Sequence, residues 1–238
     1  MDNIRERWNK LDKRAQQEIL DANRDINVDY DWWDYIYSDF VMDMQALGIT
    51  VDTRTVRTAS GKSYEEPDIV FSGFWSQGDG AGFAGSMYCK DLLPRMEKED
   101  GMQEMYNRYK SDLDCFIRWN ISFHRSNLMT FDYDYDLPDV DSDNALRRAA
   151  QEQIQTEFSE KMESFFEDLS EEIQGHADDL YRKLGKEYDF LTEDETVLET
   201  LISNDMLEEK LTEYEDGEES DESESTGSAD CSPHNAAA

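Results

Sequence analysis

Apolar residues recur at helical spacing along much of the chain, most regularly between residues 143 and 185. The mean step there is about 3.8 residues, close to one turn of an α-helix. The positions are Leu146, Ala150, Ile154, Phe158, Met162, Phe165, Leu169, Ile173, Ala177, Leu180 and Leu184. The pattern predicts one long amphipathic helix that ends at Gly185, or earlier if Gly175 interrupts it. Both a core-packing helix and a dimerising helix pair fit so long a stripe.

Shorter helices and several strands are predicted around the long helix. Helical spacing covers residues 3–22, 29–47, 92–105 and 195–211. The last of these follows Thr192-Glu193-Asp194-Glu195, which is a capping-box pattern. Apolar and polar residues alternate around 49–53, 68–75, 81–88, 114–125 and 128–137, as in half-buried strands.

Three aspartates in the last predicted strand have two possible explanations. Asp132, Asp134 and Asp136 are spaced like the first ligands of a calcium loop. An EF-hand needs glycine at its sixth position, where this chain has Leu137. Strand alternation is the simpler explanation, because it turns the aspartates to water and the intervening aromatic residues inward.

These patterns together predict a mixed α+β fold. It has N-terminal helices, a small antiparallel sheet of hairpins, one long amphipathic helix and a short C-terminal helix. We expect a single domain over residues 1–212. Residues 213–238 hold nine acidic residues and no Lys or Arg, so this tail is expected to be disordered.

The charge of the chain narrows the possible partners. Asp and Glu number 57 against 23 Lys and Arg, giving a net charge of −34. Such a field repels nucleic acids and anionic membranes and attracts basic proteins. Between residues 152 and 179 ten carboxylates accompany a single base, Lys161. That distribution fits a surface for a cationic partner, as in proteins that mimic DNA, and it also fits simple solubility.

The cellular location and the need for a cofactor are predicted from segments and motifs that the sequence lacks. No stretch approaches the roughly 18 apolar residues of a membrane span, and the first residues lack the apolar core of a signal peptide. We therefore expect a cytoplasmic protein. Three cysteines without CxxC spacing argue against a disulfide framework or a zinc site, and no cofactor is expected.

The segment from Ser72 to Gly85 is the most unusual part of the sequence. It reads SGFWSQGDGAGFAG, and Gly78 and Gly80 should permit positive φ in a tight turn. The segment lacks the Lys-Ser/Thr of a phosphate-binding loop. A structural hairpin and a functional turn built on Gln77 and Asp79 both remain open. A hydrolase or nucleotide-binding site that uses the Ser76–Gly82 turn with His124 is the alternative from another functional class.

Two parts of the sequence carry a resemblance. The segment Phe71–Ala81, with Phe83 and Gly85, resembles an SGFxSQGDGAxFxG hairpin of phage proteins that are described as antitoxins of a toxin–antitoxin stability system. Residues 187–192 and 199–205 resemble the ending of the same proteins, EYxYLTSDEAVxExLxxND. The resemblance implies a phage or prophage origin, hence a host bacterial cytoplasm, and a binding role.

The favoured function is neutralisation or inhibition of a basic protein, either a nucleic-acid-binding host protein or a toxin. Direct nucleic acid binding is not expected, and a homodimer through the long helix is an additional possibility. The candidate binding residues lie on the turn, on one strand and on the long helix. They are Trp75, Ser76, Gln77, Asp79, His124, Glu160, Glu163 and Glu167.

Overall fold

The computed structural model describes residues 2–99, 101–122, 125–136, 145–212 and 214. The helices are α1 (Asp2–Lys10), α2 (Lys13–Ala22), α3 (Asp34–Ala46), α4 (Cys89–Met96), α5 (Gln103–Tyr109), α6 (Ala145–Leu191) and α7 (Asp194–Ser203). Residues 207–212 and 214 are also helical. The strands are β1 (Thr50–Val51), β2 (Thr53–Arg57), β3 (Ser63–Pro67), β4 (Ile69–Phe71), β5 (Ala81–Phe83), β6 (Gly85–Tyr88), β7 (Asp114–Ser122) and β8 (Arg125–Asp136). The predicted mixed α+β fold is confirmed.

Three of the predicted helices are each divided by a local feature. Asp12 separates α1 from α2, because its carboxylate accepts hydrogen bonds from the N–H groups of Arg14 and Ala15 and so caps a new helix. Gly101 interrupts the predicted helix 92–105 with a φ of 80°. Asp205 ends α7 in the same way, with a φ of 57°, before the chain becomes helical again at 207.

The long helix α6 extends further than its sequence predicts. It continues without a break through Gly175 and Gly185 to Leu191, so both predicted ends are wrong. A glycine inside a helix costs only about 1 kcal/mol relative to alanine, which the packing of a helix face outweighs. The predicted capping box is also wrong: Glu193 is the N-cap of α7 without a side-chain bond, and Thr192 donates to the carbonyl of Tyr188.

The strands form one four-stranded antiparallel sheet and two small ones. The large sheet has the order β1-β6-β7-β8, while β2 pairs with β3 and β4 pairs with β5. Of the predicted strands 68–75 and 81–88, the parts β4 and β5 pair with each other, and β6 joins the larger sheet. The predicted strands 114–125 and 128–137 correspond to β7 and β8, which also pair.

The burial of side chains alternates along β7 and β8, which identifies the inner face of the large sheet. In β7, Cys115, Ile117 and Trp119 are buried and alternate with residues that are exposed or only partly buried. In β8 the side chains of residues 131, 133 and 135 are partly buried, and those of Asp132, Asp134 and Asp136 are exposed. The strand interpretation of these aspartates is confirmed.

Contacts divide the chain into two compact units. One takes its described residues from Met1–Trp32 and Glu187–Ala238, and the other is Trp33–Lys186. The predicted single domain over 1–212 stays a prediction. The predicted tail, 213–238, lies outside the described residues except for Tyr214.

The first unit is helical and has an apolar core of its own. The core consists of Trp8, Ile19, Leu20, Val197, Leu198, Leu201, Leu207 and Leu211. The side-chain amide of buried Asn27 makes two hydrogen bonds. Its nitrogen donates to the carbonyl of Leu191 at 3.0 Å, and its oxygen accepts from the Thr200 hydroxyl at 2.9 Å. The helices α1 and α2 thus pack against α7 and the helical residues 207–212.

Candidate protein-binding face

The buried side of α6 fixes which of its residues can reach a partner. Within Trp33–Lys186, the residues of α6 that are buried are Phe158, Met162, Phe165, Phe166, Leu169, Ile173, Ala177, Leu180 and Leu184. Phe166 stacks on Tyr133 of β8 with ring centroids 4.5 Å apart. Most of the predicted apolar stripe is therefore core, although Leu146 at its start is 84% exposed.

Between residues 152 and 179, most of the exposed residues of α6 are acidic. All ten carboxylates between residues 152 and 179 belong to exposed residues. They are Glu152, Glu157, Glu160, Glu163, Glu167, Asp168, Glu171, Glu172, Asp178 and Asp179. Because the buried positions occupy the other side of the helix, these carboxylates project away from the core.

Few cations neutralise this face. Arg95 binds both carboxylate oxygens of Glu172 at 2.9 Å, and Arg182 lies 2.7 Å from Asp179. The other eight carboxylates make no ion pair with any residue that the structure describes. Lys161, the one base among them, donates instead to the backbone carbonyl of Gly101. The face therefore keeps most of its negative charge.

The loop between β4 and β5 is a closed and internally bonded turn. The backbone N–H of Gly80 donates to the Ser72 hydroxyl at 3.1 Å, and the N–H of Ser72 donates to the Gly80 carbonyl at 3.1 Å. The Asp79 carboxylate accepts the N–H of Ser76. Gly73 and Gly78 adopt φ angles of 104° and 99°. Gly80, which the sequence also suggested for positive φ, is not among the residues with such an angle.

Aromatic packing holds this loop against α6. Phe74 lies 4.8 Å from Phe71 and 5.4 Å from Tyr181 of α6, measured between ring centroids. The ring of Phe74 also reaches Gly185, where a Cβ would be 3.6 Å from its Cε1 atom. Trp75, the next residue, is 82% exposed. The loop therefore presents one tryptophan to solvent while the aromatic residue before it anchors the backbone.

The loop and the acidic residues lie along the same side of α6. Glu160, Glu163, Glu167 and Glu171 follow each other at steps of three and four residues, which keeps them on one line of a helix. Asp178 follows Glu171 two helical turns later, and Tyr181 and Gly185, the two positions that meet the loop, follow at steps of three and four. Glu160 and Tyr181 are about 32 Å apart along the helix axis at 1.5 Å per residue. We call the exposed carboxylates of residues 152–179, together with the Ser72–Gly80 loop, the acidic face.

Two tyrosines beside this face have raised pKa values, partly because of nearby carboxylates. Burial raises the pKa of Tyr133, and the carboxylates of Glu163 and Glu167 raise it further. Burial likewise raises the pKa of Tyr181, with Asp79 adding to the shift. Both phenols consequently stay neutral at physiological pH and add no charge of their own.

The predicted site residues lie on the loop and on α6, apart from His124. The loop exposes Trp75, Ser76 and Gln77. The carboxylate of Asp79 accepts a hydrogen bond from within the loop. The hydroxyl of Ser76 has no hydrogen-bond partner among the described residues. Glu160, Glu163 and Glu167 are exposed on α6. The prediction for His124 lies outside the described residues.

A groove between α3 and α6 was not found from the sequence. It has a volume of about 580 Å³, a floor that includes Phe40 and Leu180, and cations at its rim, Arg182, Lys183 and Lys186. Lys183 lies 3.2 Å from Asp43 of α3. The sequence signal was the cluster of bases at 182–186 beyond the acidic segment, but its opposing helix could not be identified without the fold.

The described residues contain neither a cluster of metal ligands nor a helix that could span a membrane. No group of three His, Cys, Asp or Glu side chains there could hold a metal ion. No helix of that part is both long and apolar enough to cross a bilayer.

Residues 32–194 match a family model described as Domain of unknown function (DUF8835). The chain belongs to the DUF8835 family. No curated protein and no solved structure matches it. The DUF8835 match runs from α3 to the start of α7, so it includes the Ser72–Gly80 loop and all of α6. Both parts of the acidic face therefore lie inside the DUF8835 region.

Proposed function

We propose that this protein neutralises or inhibits a basic protein partner, in the manner of an antitoxin or a DNA mimic, through its acidic face. The observation that carries the proposal is the set of eight exposed α6 carboxylates without an ion pair in the described chain. The resemblance of the Phe71–Ala81 hairpin to phage antitoxins supports the same role.

Electrostatics explains why such a face favours a cationic partner. Like charges at i, i+4 destabilise a helix by about 0.2–0.5 kcal/mol per pair, so cations from a partner would relieve a repulsion already present. The eight carboxylates without an ion pair give about one charge per 5 Å of helix axis, comparable to the 3.4 Å per phosphate of one DNA strand. A nucleic-acid-binding protein is therefore a suitable kind of partner.

The exposed side chain of Trp75 adds an aromatic contact that the carboxylates cannot provide. Charged rims mainly raise association rates, whereas aromatic anchors at the centre of an interface resist dissociation. Trp75 is held on a loop with internal hydrogen bonds, so little conformational entropy remains to be lost on binding. Its ring can also stack on a partner cation.

The charge of the acidic face is tested by Glu160→Gln, Glu163→Gln and Glu167→Gln together. We expect a partner captured from bacterial lysate by the wild-type protein to associate about tenfold more slowly with this variant, and the wild-type rate to fall at high salt. The matched control changes Asp132, Asp134 and Asp136 to Asn, removing the same charge from β8. Equal weakening by both variants would show that net charge, not this face, directs binding. Circular dichroism verifies each fold.

Trp75→Ala tests the loop separately. Removal of a central aromatic anchor costs about 2 kcal/mol or more, so the complex should dissociate roughly 30-fold faster with little change in association rate. Tyr64→Ala is the control, since Tyr64 is a half-exposed aromatic residue on the β2–β3 hairpin. Unchanged dissociation of the Trp75 variant would remove the loop from the interface.

A further inference from the structure

Two free cysteines lie at the end of the β6–β7 ladder. Tyr88 of β6 and Phe116 of β7 are the last residue pair of this ladder, and Cys89 and Cys115 directly adjoin the two partners of that pair. Both are free thiols. Cys115 is 2% exposed, and Cys89, the first residue of α4, is partly exposed.

The alternation of the two strands turns both side chains to the inner face. Gly85 and Met87 lie opposite Trp119 and Ile117 in the same register, and all four are buried. Positions 89 and 115 continue that series by two residues. Directly opposed residues of an antiparallel pair have Cβ atoms about 4.5–5.5 Å apart, and a disulfide needs about 3.5–4.5 Å. The two ranges meet at about 4.5 Å, so a pair in this arrangement can reach bonding distance.

Side-chain interactions agree with this proximity. The Cys89 thiol donates to the carbonyl of Leu113, two residues before Cys115, with a sulfur–oxygen distance of 3.1 Å. Burial raises the pKa of Cys115, and the charge and hydrogen bond of the Cys89 side chain raise it further. The buried thiol is thus protonated at neutral pH, while its neighbour can be reached from solvent.

We infer that Cys89 and Cys115 form an intramolecular disulfide site that small-molecule disulfides such as oxidised glutathione can close. The Cys89 thiolate attacks one sulfur of the oxidant, and the displaced glutathione thiolate takes up a proton. The sulfur of Cys115, after losing its proton to solvent, attacks the Cys89 sulfur and displaces the second glutathione. Two protein thiols are oxidised to one disulfide, and one glutathione disulfide is reduced to two thiols.

The bond would tie the start of α4 to β7 and enclose the segment that contains α4 and α5. Closing a loop of this length restricts the unfolded chain and raises stability. The site therefore makes the stability of this region depend on the redox state around the protein, independently of the acidic face.

The test uses the full chain with Cys231→Ser, so that only this pair can react. After incubation with oxidised glutathione, intact mass should show the loss of two hydrogen atoms and no adduct. Peptide mapping should link residues 89 and 115, and Tm should rise by several degrees, reversibly with dithiothreitol. A persistent glutathione adduct, or two unreacted thiols, would overturn the inference.

Two variants separate the roles of the cysteines. With Cys115→Ala the reaction should stop at a glutathione adduct on Cys89, because the second thiol is missing. With Cys89→Ser the buried Cys115 should remain unmodified. An adduct on Cys115 in that variant would contradict the order of attack and the inference with it.

Discussion

Gly85→Ala is expected to lower the free energy of unfolding by about 3 kcal/mol or more. A Cβ at this position would lie 2.6 Å from the carbonyl oxygen of Thr50 and 2.8 Å from Cζ2 of Trp119. Thr50 belongs to the neighbouring strand β1, and Trp119 is fully buried, so neither can move without disturbing the sheet. The close approach of β1, β6 and β7 depends on the missing side chain.

Gly175→Ala is the matched control, since it makes the same chemical change in a different environment. No atom lies within 4 Å of the Cβ that would be added there. The substitution should stabilise the protein by about 0.5–1 kcal/mol, because alanine is the better residue inside a helix. Urea denaturation measures both variants. A Gly85 variant as stable as the wild type would mean that the sheet can relax around a methyl group.

Phe166→Ala is expected to cost about 3–5 kcal/mol, as large truncations in a protein core do. Phe166 is fully buried and stacks on Tyr133 at 4.5 Å with an angle of 12° between the rings. It also meets Tyr135 at 6.2 Å and Phe165 at 5.6 Å. Its removal would leave a cavity where α6 packs on β8.

Phe190→Ala provides the comparison on the same helix. Phe190 is 53% exposed, so its truncation should change the free energy of unfolding by less than about 1 kcal/mol. Thermal and urea unfolding of the two variants give the difference. Similar losses at both positions would contradict the assignment of the buried side of α6.

The sequence predicted those parts of the fold that local periodicity determines. The side chains of β8 alternate as expected, and α6 buries most of the predicted apolar positions. Phe166 was missed because selecting one apolar residue per turn leaves out neighbours on a wider stripe. The predicted ends of α6 are wrong because glycine is only a local stop signal, and packing along the helix outweighs the cost of Gly175 and Gly185.

The candidate face could be predicted only in part, for a similar reason. Exposure of Glu160, Glu163 and Glu167 follows from their positions opposite the apolar stripe. The packing of Phe74 on Tyr181 joins residues far apart in sequence, and no local pattern encodes it. The sequence therefore suggested the loop and the acidic helix separately, and the fold brings them to one side of α6.

The pairing of the first helices with the last ones has a consequence during synthesis. Arg5 forms an ion pair with Glu199, which follows it by 194 residues, and Trp8 shares a core with Leu201. At about 5–20 residues per second, a ribosome needs roughly 10–40 s to make the chain between the two partners. During that interval Trp8 and Ile19 lack the helices that later cover them. The apolar side chains of Trp8 and Ile19 therefore stay without these core contacts until α7 leaves the ribosome.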